Sequence, residues 1–141
     1  MGNDVKIHHL EAIQGVINRM AQNSFLIKGW SVTLVSALFA LATAQSNSGF
    51  VLLAYVPACM FWILDGYFLY QEKLYRRLFD HVRISKESEP AEFFSMDTTS
   101  FRNQMPSWLC VALSRTLLVF HGAVLGSIIL VMILVRKSAI Q

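Results

Sequence analysis

Two long segments of this 141-residue chain contain no Asp, Glu, Lys or Arg side chain. They are residues 29–64 and residues 116–135. Moving an ionised side chain into hydrocarbon costs several kcal/mol, so uninterrupted runs of this length are typical of segments whose solvent is lipid. The sequence therefore predicts an integral membrane protein.

The two segments provide three candidate spans. We expect helices over residues 29–44, 50–70 and 106–135, because a helix rises about 1.5 Å per residue and the hydrocarbon core is about 30 Å thick. The polar, uncharged residues 45–49 predict a short turn between the first two spans. Pro57 predicts a kink in the second span, and the third is expected to run unbroken.

The remaining sequence flanks these spans. Residues 1–28 carry apolar side chains at intervals of three or four, which predicts an N-terminal amphipathic helix that leads into the first span. Residues 71–105 begin with a basic amphipathic stretch that continues the second span and end in a polar loop. The membrane part is thus expected in two separate ranges of the sequence, residues 29–70 and residues 106–141. The overall prediction is an all-α membrane protein with three transmembrane helices.

The basic residues predict the orientation. Three Lys or Arg lie in residues 1–28, six lie in residues 71–105 and none lies in the turn 45–49. Cytoplasmic loops carry an excess of Lys and Arg, so the N-terminus and 71–105 are expected in the cytoplasm and the turn outside. Three spans then place Arg136 and Lys137 outside, against this rule, but the larger group of cations outweighs them.

A layer of ionisable side chains is predicted near the cytoplasmic ends of the spans. Lys28 ends the first span, Asp65 lies inside the second, and Arg115 opens the charge-free part of the third. Counting from the outer turn places Lys28 and Asp65 at nearly the same depth. Two interpretations stay open: an Asp65–Arg115 or Asp65–Lys28 pair that fixes helix packing, or a charged ring at the mouth of a pore.

His121 lies in the third span, where a histidine is most often a hydrogen-bonded packing residue. A pore-lining or pH-sensing role is the alternative.

Small residues suggest close helix contacts. Gly122 and Gly126 form a GxxxG motif in the third span, and Ser36 and Ala40 have the same spacing in the first. This spacing lets helix backbones approach closely in lipid. Packing within one chain and association of several copies both stay open, and a homo-oligomer is our prediction.

The basic stretch after the second span predicts contact with an anion. Anionic lipid headgroups are the usual partner of such a helix beside a membrane. The alternative is a pocket for a phosphate-bearing ligand, formed together with Arg19 and Arg102, although no glycine-rich phosphate loop accompanies it. The cations of this stretch are Lys73, Arg76, Arg77 and Arg83.

The sequence shows no residue pattern typical of an enzyme or a metal site. No Ser or Cys has His and acidic partners at plausible spacing, and no two His are spaced as a metal pair beside a carboxylate. Cys59 and Cys110 lie in apolar surroundings and are expected to be buried. We predict a non-enzymatic protein without a cofactor or metal.

One segment resembles a known family: Ile17-Asn18-Arg19-Met20-Ala21-Gln22-Asn23-Ser24-Phe25, then Lys28, Trp30 and an apolar span. It is similar to the opening of small bacterial antiviral-defence proteins, in particular the channel effector of the Hailong system. That family forms tetrameric channels whose cytoplasmic N-terminal helices receive an oligonucleotide made by a partner nucleotidyltransferase. The resemblance implies a bacterial inner-membrane protein in which Arg19, Asn23 and Lys28 belong to a gating helix.

Two functional hypotheses of different classes follow. The first is an oligomeric channel or membrane-disrupting effector, gated from the cytoplasm by a nucleotide signal in antiphage defence. Three packed helices enclose no lumen, so conduction requires several copies. The second is a non-conducting anchor or regulatory subunit that docks a cytoplasmic partner protein through residues 71–105.

Overall fold

The computed structural model of the protein describes residues 2–45, 47, 49–85 and 95–138, and all regular structure within them is helical. The elements in chain order are α1 (Gly2–Ala44), α2 (Gly49–Leu53), α3 (Tyr55–Ile84), a 3-10 helix (Thr99–Gln104), α4 (Trp108–Ala112) and α5 (Arg115–Ser138). Three helical stretches are long and apolar enough to cross a membrane: Asp4–Ala44, Gly49–Ile84 and Arg115–Lys137.

α1 is a single helix of 43 residues, and it joins the N-terminal segment to the first predicted span. At about 1.5 Å per residue it is roughly 65 Å long, about twice the thickness of a hydrocarbon core. Its N-terminal half packs on α3, where Ile13 and Ile17 are buried against Leu78.

α3 continues the second span into the basic stretch, as the sequence predicts. A turn at Ala54 separates α3 from α2, one helical turn before Pro57. Proline has no N–H to donate to the carbonyl four residues earlier, which here belongs to Leu53, the last residue of α2. The kink expected near Pro57 corresponds to this turn at Ala54, across which the N–H of Ala54 still donates to the carbonyl of Phe50.

The prediction of an unbroken third helix over residues 106–135 is wrong. The helix stops after Ala112 and starts again at Arg115. The indole N–H of Trp62 donates to the carbonyl of Ala112 at 2.9 Å, and so satisfies an acceptor that a continuous helix would use itself. A Cβ on Gly66 would lie 2.9 Å from the Cβ of Ala112, so the two small residues allow α4 to lie directly on α3.

Residues 95–105, the described end of the predicted loop, pack back onto the pair of α1 and α3. Phe101 contacts the cluster formed by the buried residues of α1 and α3, and Nε2 of His9 lies 3.1 Å from the carbonyl oxygen of Ser95. The backbone N–H of Thr99 donates to Oδ1 of Asp97, and the hydroxyl of Thr99 donates to Oδ2. These bonds, the backbone bond first, stabilise the carboxylate and hold the pKa of Asp97 below its ordinary value. Residues 86–94 of the predicted loop lie outside the described residues.

A second core joins α1, α2, α3 and α5 at the level of the apolar segments. Many large apolar side chains of these helices point away from it, as Val119 does with an exposed fraction of 74%. Cys59 and Cys110, expected to be buried, are also exposed on the outside. Continuous exposed apolar surface marks a region that lipid or another protein covers. The buried residues of this core are Val35, Ala42, Val51, Ala54, Ala58, Val124 and Ile128.

Candidate functional site

The carboxylate of Asp65 lies at the centre of a polar cluster between α1, α3 and α5. Its side chain is fully buried. Ser24 Oγ donates to Oδ1 at 2.5 Å, and Nζ of Lys28 lies 2.8 Å from Oδ1 and 2.6 Å from Oδ2. Nε2 of His121 lies 2.9 Å from Oδ2. Each of the three long helices contributes to this group, which we call the Asp65 cluster: Ser24, Lys28, Asp65 and His121.

The spacing along α1 explains why two of its side chains reach the same carboxylate. Ser24 and Lys28 are four residues apart and so lie on one face of the helix. Nζ of Lys28 also donates to Oγ of Ser24 at 2.8 Å, which holds both side chains toward α3. Lys28 and Asp65, which the sequence placed at nearly the same depth, are in direct contact.

Of the two ion pairs that the sequence left open, the structure contains Asp65–Lys28. Arg115 is exposed at the start of α5 and makes no ion pair with Asp65 among the described residues. The predicted layer of charge therefore has to be corrected: His121 takes the position beside the carboxylate that was expected for Arg115.

Aromatic rings enclose the imidazole side of the cluster. The rings of Trp62 and His121 are parallel within 5°, with centroids 5.6 Å apart. Phe120 meets His121 edge-on at 5.1 Å, and its ring centroid lies 5.9 Å from Nζ of Lys28. These rings lower the local polarity, so a buried charge here depends strongly on its partners.

The small residues of the GxxxG motif face away from the other helices of the chain. A Cβ built on Gly122 or Gly126 would meet no atom within 4 Å. Ser36 and Ala40 are exposed as well. Packing within one chain therefore does not explain these four residues.

The cations of the basic stretch are less available than their number suggests. Arg76 pairs with Glu72 at 2.8 Å, and Arg83 pairs with Asp80 at 3.3 Å. Lys73 is half-buried, while Arg77 is exposed and has no ion pair within the described part of the chain.

On α1, Arg19 is exposed and Asn23 is half-buried. No hydrogen bond or ion pair in the described ranges joins either residue to the cations of α3.

Sequence reasoning missed the roles of Ser24 and Trp62. Ser24 could have been found from its position four residues before Lys28, on the same face of α1. Trp62 could have been found from its position one turn before Asp65 on α3. Comparisons with family models, curated proteins and solved structures give no match for this chain.

Proposed function

We propose that the protein is a homo-oligomeric membrane channel that an anionic nucleotide signal opens from the cytoplasmic side, in antiphage defence. The observation that carries this proposal is a stripe of small and hydroxyl side chains on the outer face of α1. All members of the stripe are exposed, and their intervals of three or four place them on one face of the helix. The α1 stripe consists of Gly29, Thr33, Ser36, Ala40 and Thr43.

The stripe differs from the rest of the exposed surface of α1. Beside it lie large apolar side chains such as Trp30, Leu34 and Leu41, which suit lipid. The hydroxyls of Thr33 and Thr43 donate to carbonyls of α1 itself, and their oxygens keep lone pairs that can accept hydrogen bonds from a water-filled path. Copies that turn the α1 stripe toward a common axis would enclose such a path, which one copy of three packed helices cannot do.

The exposed glycines of α5 support assembly of several copies. Gly122 and Gly126 leave a flat strip of backbone that a neighbouring helix can approach closely. With α1 facing the axis, α5 is available for contact with the next copy.

The continuity of the helices supports control from the cytoplasm. α1 and α3 each run from the predicted cytoplasmic segments into the apolar region without a break in between. A ligand that binds near Arg19 therefore acts on α1, which lines the proposed path. A ligand that binds near Arg77 acts on α3, which packs on α1. The resemblance of residues 17–30 to the Hailong channel effector supports a nucleotide as that ligand.

Because Asp65 is fully buried and paired, we propose the conduction path along the α1 stripe and not beside Asp65. Ser36→Leu tests this choice in liposomes that hold the purified protein. We expect it to abolish most of the ion flux, because leucine fills the stripe with an apolar side chain. Cys59→Leu is the matched control: it introduces the same apolar side chain at an exposed position on α3, away from the stripe. Equal flux in both variants would argue against the stripe as the path.

A further inference from the structure

Nδ1 of His121 is a buried polar atom without a hydrogen-bond partner among the described residues. The side chain of His121 is 1% exposed, and its other ring nitrogen, Nε2, contacts Oδ2 of Asp65 at 2.9 Å. A carboxylate paired with lysine is ionised and only accepts hydrogen bonds, so Nε2 carries the hydrogen. In the neutral imidazole the free lone pair is then on Nδ1. The cluster thus contains an unpaired proton acceptor.

The Asp65 cluster contains one negative charge, on Asp65, and two side chains that can carry a positive charge, Lys28 and His121. Lys28 already neutralises Asp65, so a proton on His121 would leave one net positive charge in a buried place, which is unfavourable. Lys28 can relieve this excess, because its side chain is 22% exposed while that of Asp65 is not exposed at all. Its ammonium can withdraw to water on a flexible stem.

We propose that His121 and Asp65 form a proton-binding site inside the helix bundle, in which Nδ1 takes up a proton from water while Lys28 leaves the carboxylate. One cation replaces another, so the net charge of the buried groups is unchanged. The face of Trp62 stabilises the imidazolium, because an indole ring attracts a cation within about 6 Å of its centroid. Lys28 is one of two side chains of α1 that bond Asp65, so proton uptake removes one of these contacts while Ser24 keeps the other.

Few other charges face the imidazole. α1 contributes Lys28 and α3 contributes Asp65, while the ionisable side chain of α4, Cys110, is exposed. Arg115, fewer than two turns before His121 on α5, is exposed as well. Proton uptake at this site does not depend on whether the protein conducts ions, so the proposed channel can fail without affecting it.

NMR of the full chain in lipid nanodiscs, with ¹⁵N-labelled histidine and lysine, tests the site. As the pH is lowered from about 8 to about 5, Nδ1 of His121 should change from unprotonated to protonated. The Nζ signal of Lys28 should change at the same midpoint, because its contact with Asp65 is lost. The His121 signal is identified by its absence in His121→Gln.

Lys28→Met provides the competition test. We expect His121 to take up its proton at higher pH than in the parent protein, because Asp65 then has no other cation. Lys137→Met, at the exposed end of α5, is the matched control and should leave the midpoint unchanged.

An Nδ1 that stays unprotonated over the whole pH range in the parent protein would overturn the site. Two results would overturn the exchange of cations. One is a Lys28 signal in the parent protein that does not change at the same pH as the His121 signal. The other is an unshifted His121 midpoint in Lys28→Met. If Lys28→Met does not fold, the parent protein alone tests the exchange of cations: the His121 and Lys28 signals must change at the same pH.

Discussion

At the scale of single residues, Asp65 is the point at which the three long helices are tied together. Its oxygens accept hydrogen bonds from Lys28 on α1 and from His121 on α5. Replacing a buried ion pair by apolar residues is often neutral, whereas removing one partner leaves an uncompensated buried charge. The contribution of Asp65 therefore depends on Lys28 being present.

Asp65→Asn should lower the free energy of unfolding by about 1–3 kcal/mol, because Ser24 and His121 lose a charged acceptor and Lys28 has to withdraw to water. Adding Lys28→Met should restore part of the loss, since no cation then has to leave the contact between α1 and α3. Unfolding in detergent, followed by circular dichroism, measures both effects. Arg115→Gln is the control and should neither destabilise the parent nor rescue Asp65→Asn. A single variant Asp65→Asn as stable as the parent would show that the pair contributes little.

The sequence predicted part of this site for a simple reason. Depth in a membrane depends only on counting residues along each helix, so Lys28 and Asp65 could be matched. Which of the remaining side chains reach the carboxylate depends on how each helix is rotated about its axis. The choice of His121 over Arg115 therefore came only from the structure.

At the scale of helices, the break between α4 and α5 shows what periodicity cannot predict. Residues 113–114 are Leu and Ser, which do not interrupt a helix by themselves. The break is held by tertiary contacts, since Trp62 binds the carbonyl of Ala112 and Gly66 makes room for it. The irregularity at Ala54, between α2 and α3, fits the kink predicted from Pro57, because proline acts locally.

Gly66→Ala should destabilise the protein by about 1–3 kcal/mol, the usual cost of overpacking a tight contact. The added Cβ would lie 2.9 Å from the Cβ of Ala112 and 3.2 Å from its Cα, so α4 must move. Gly15→Ala is the matched control, because its Cβ would meet nothing within 4 Å. It should be neutral or stabilising, as alanine favours helix over glycine by about 1 kcal/mol. Equal unfolding midpoints for the two variants would contradict the close contact of α4 with α3.

At the scale of the whole molecule, the proposed channel requires several copies of the chain in one orientation. The exposed face of α5 allows a direct test of the assembly of copies. Gly126→Ile should shift the solubilised protein to smaller species, because helix contacts of this kind are worth only about 1–2 kcal/mol. Gly126→Ala, which keeps the residue small, should retain the parent size. Light scattering after size-exclusion chromatography measures the mass, and an unchanged mass in Gly126→Ile would exclude this face from the interface.

The orientation is tested by cysteine labelling in intact cells, after Cys59 and Cys110 have been replaced by Ala. A cysteine at Asn47, exposed between α1 and α2, should react with a membrane-impermeant thiol reagent from outside. A cysteine at Asn103, exposed in the 3-10 helix, should react only after the membrane is permeabilised. The physical reason is the excess of Lys and Arg on the side of Asn103. Labelling of Asn103→Cys in intact cells would reverse the orientation.

The most direct test of the proposed channel is ion flux through liposomes that contain only the purified parent protein. We expect no flux without ligand and rapid flux after oligonucleotides are added on the side that bears residues 71–105. Arg19→Gln should weaken the response to the oligonucleotide without changing the mass of the assembly. A correctly assembled parent protein that passes no ions with any nucleotide would contradict the proposal and favour a non-conducting anchor that docks a cytoplasmic partner.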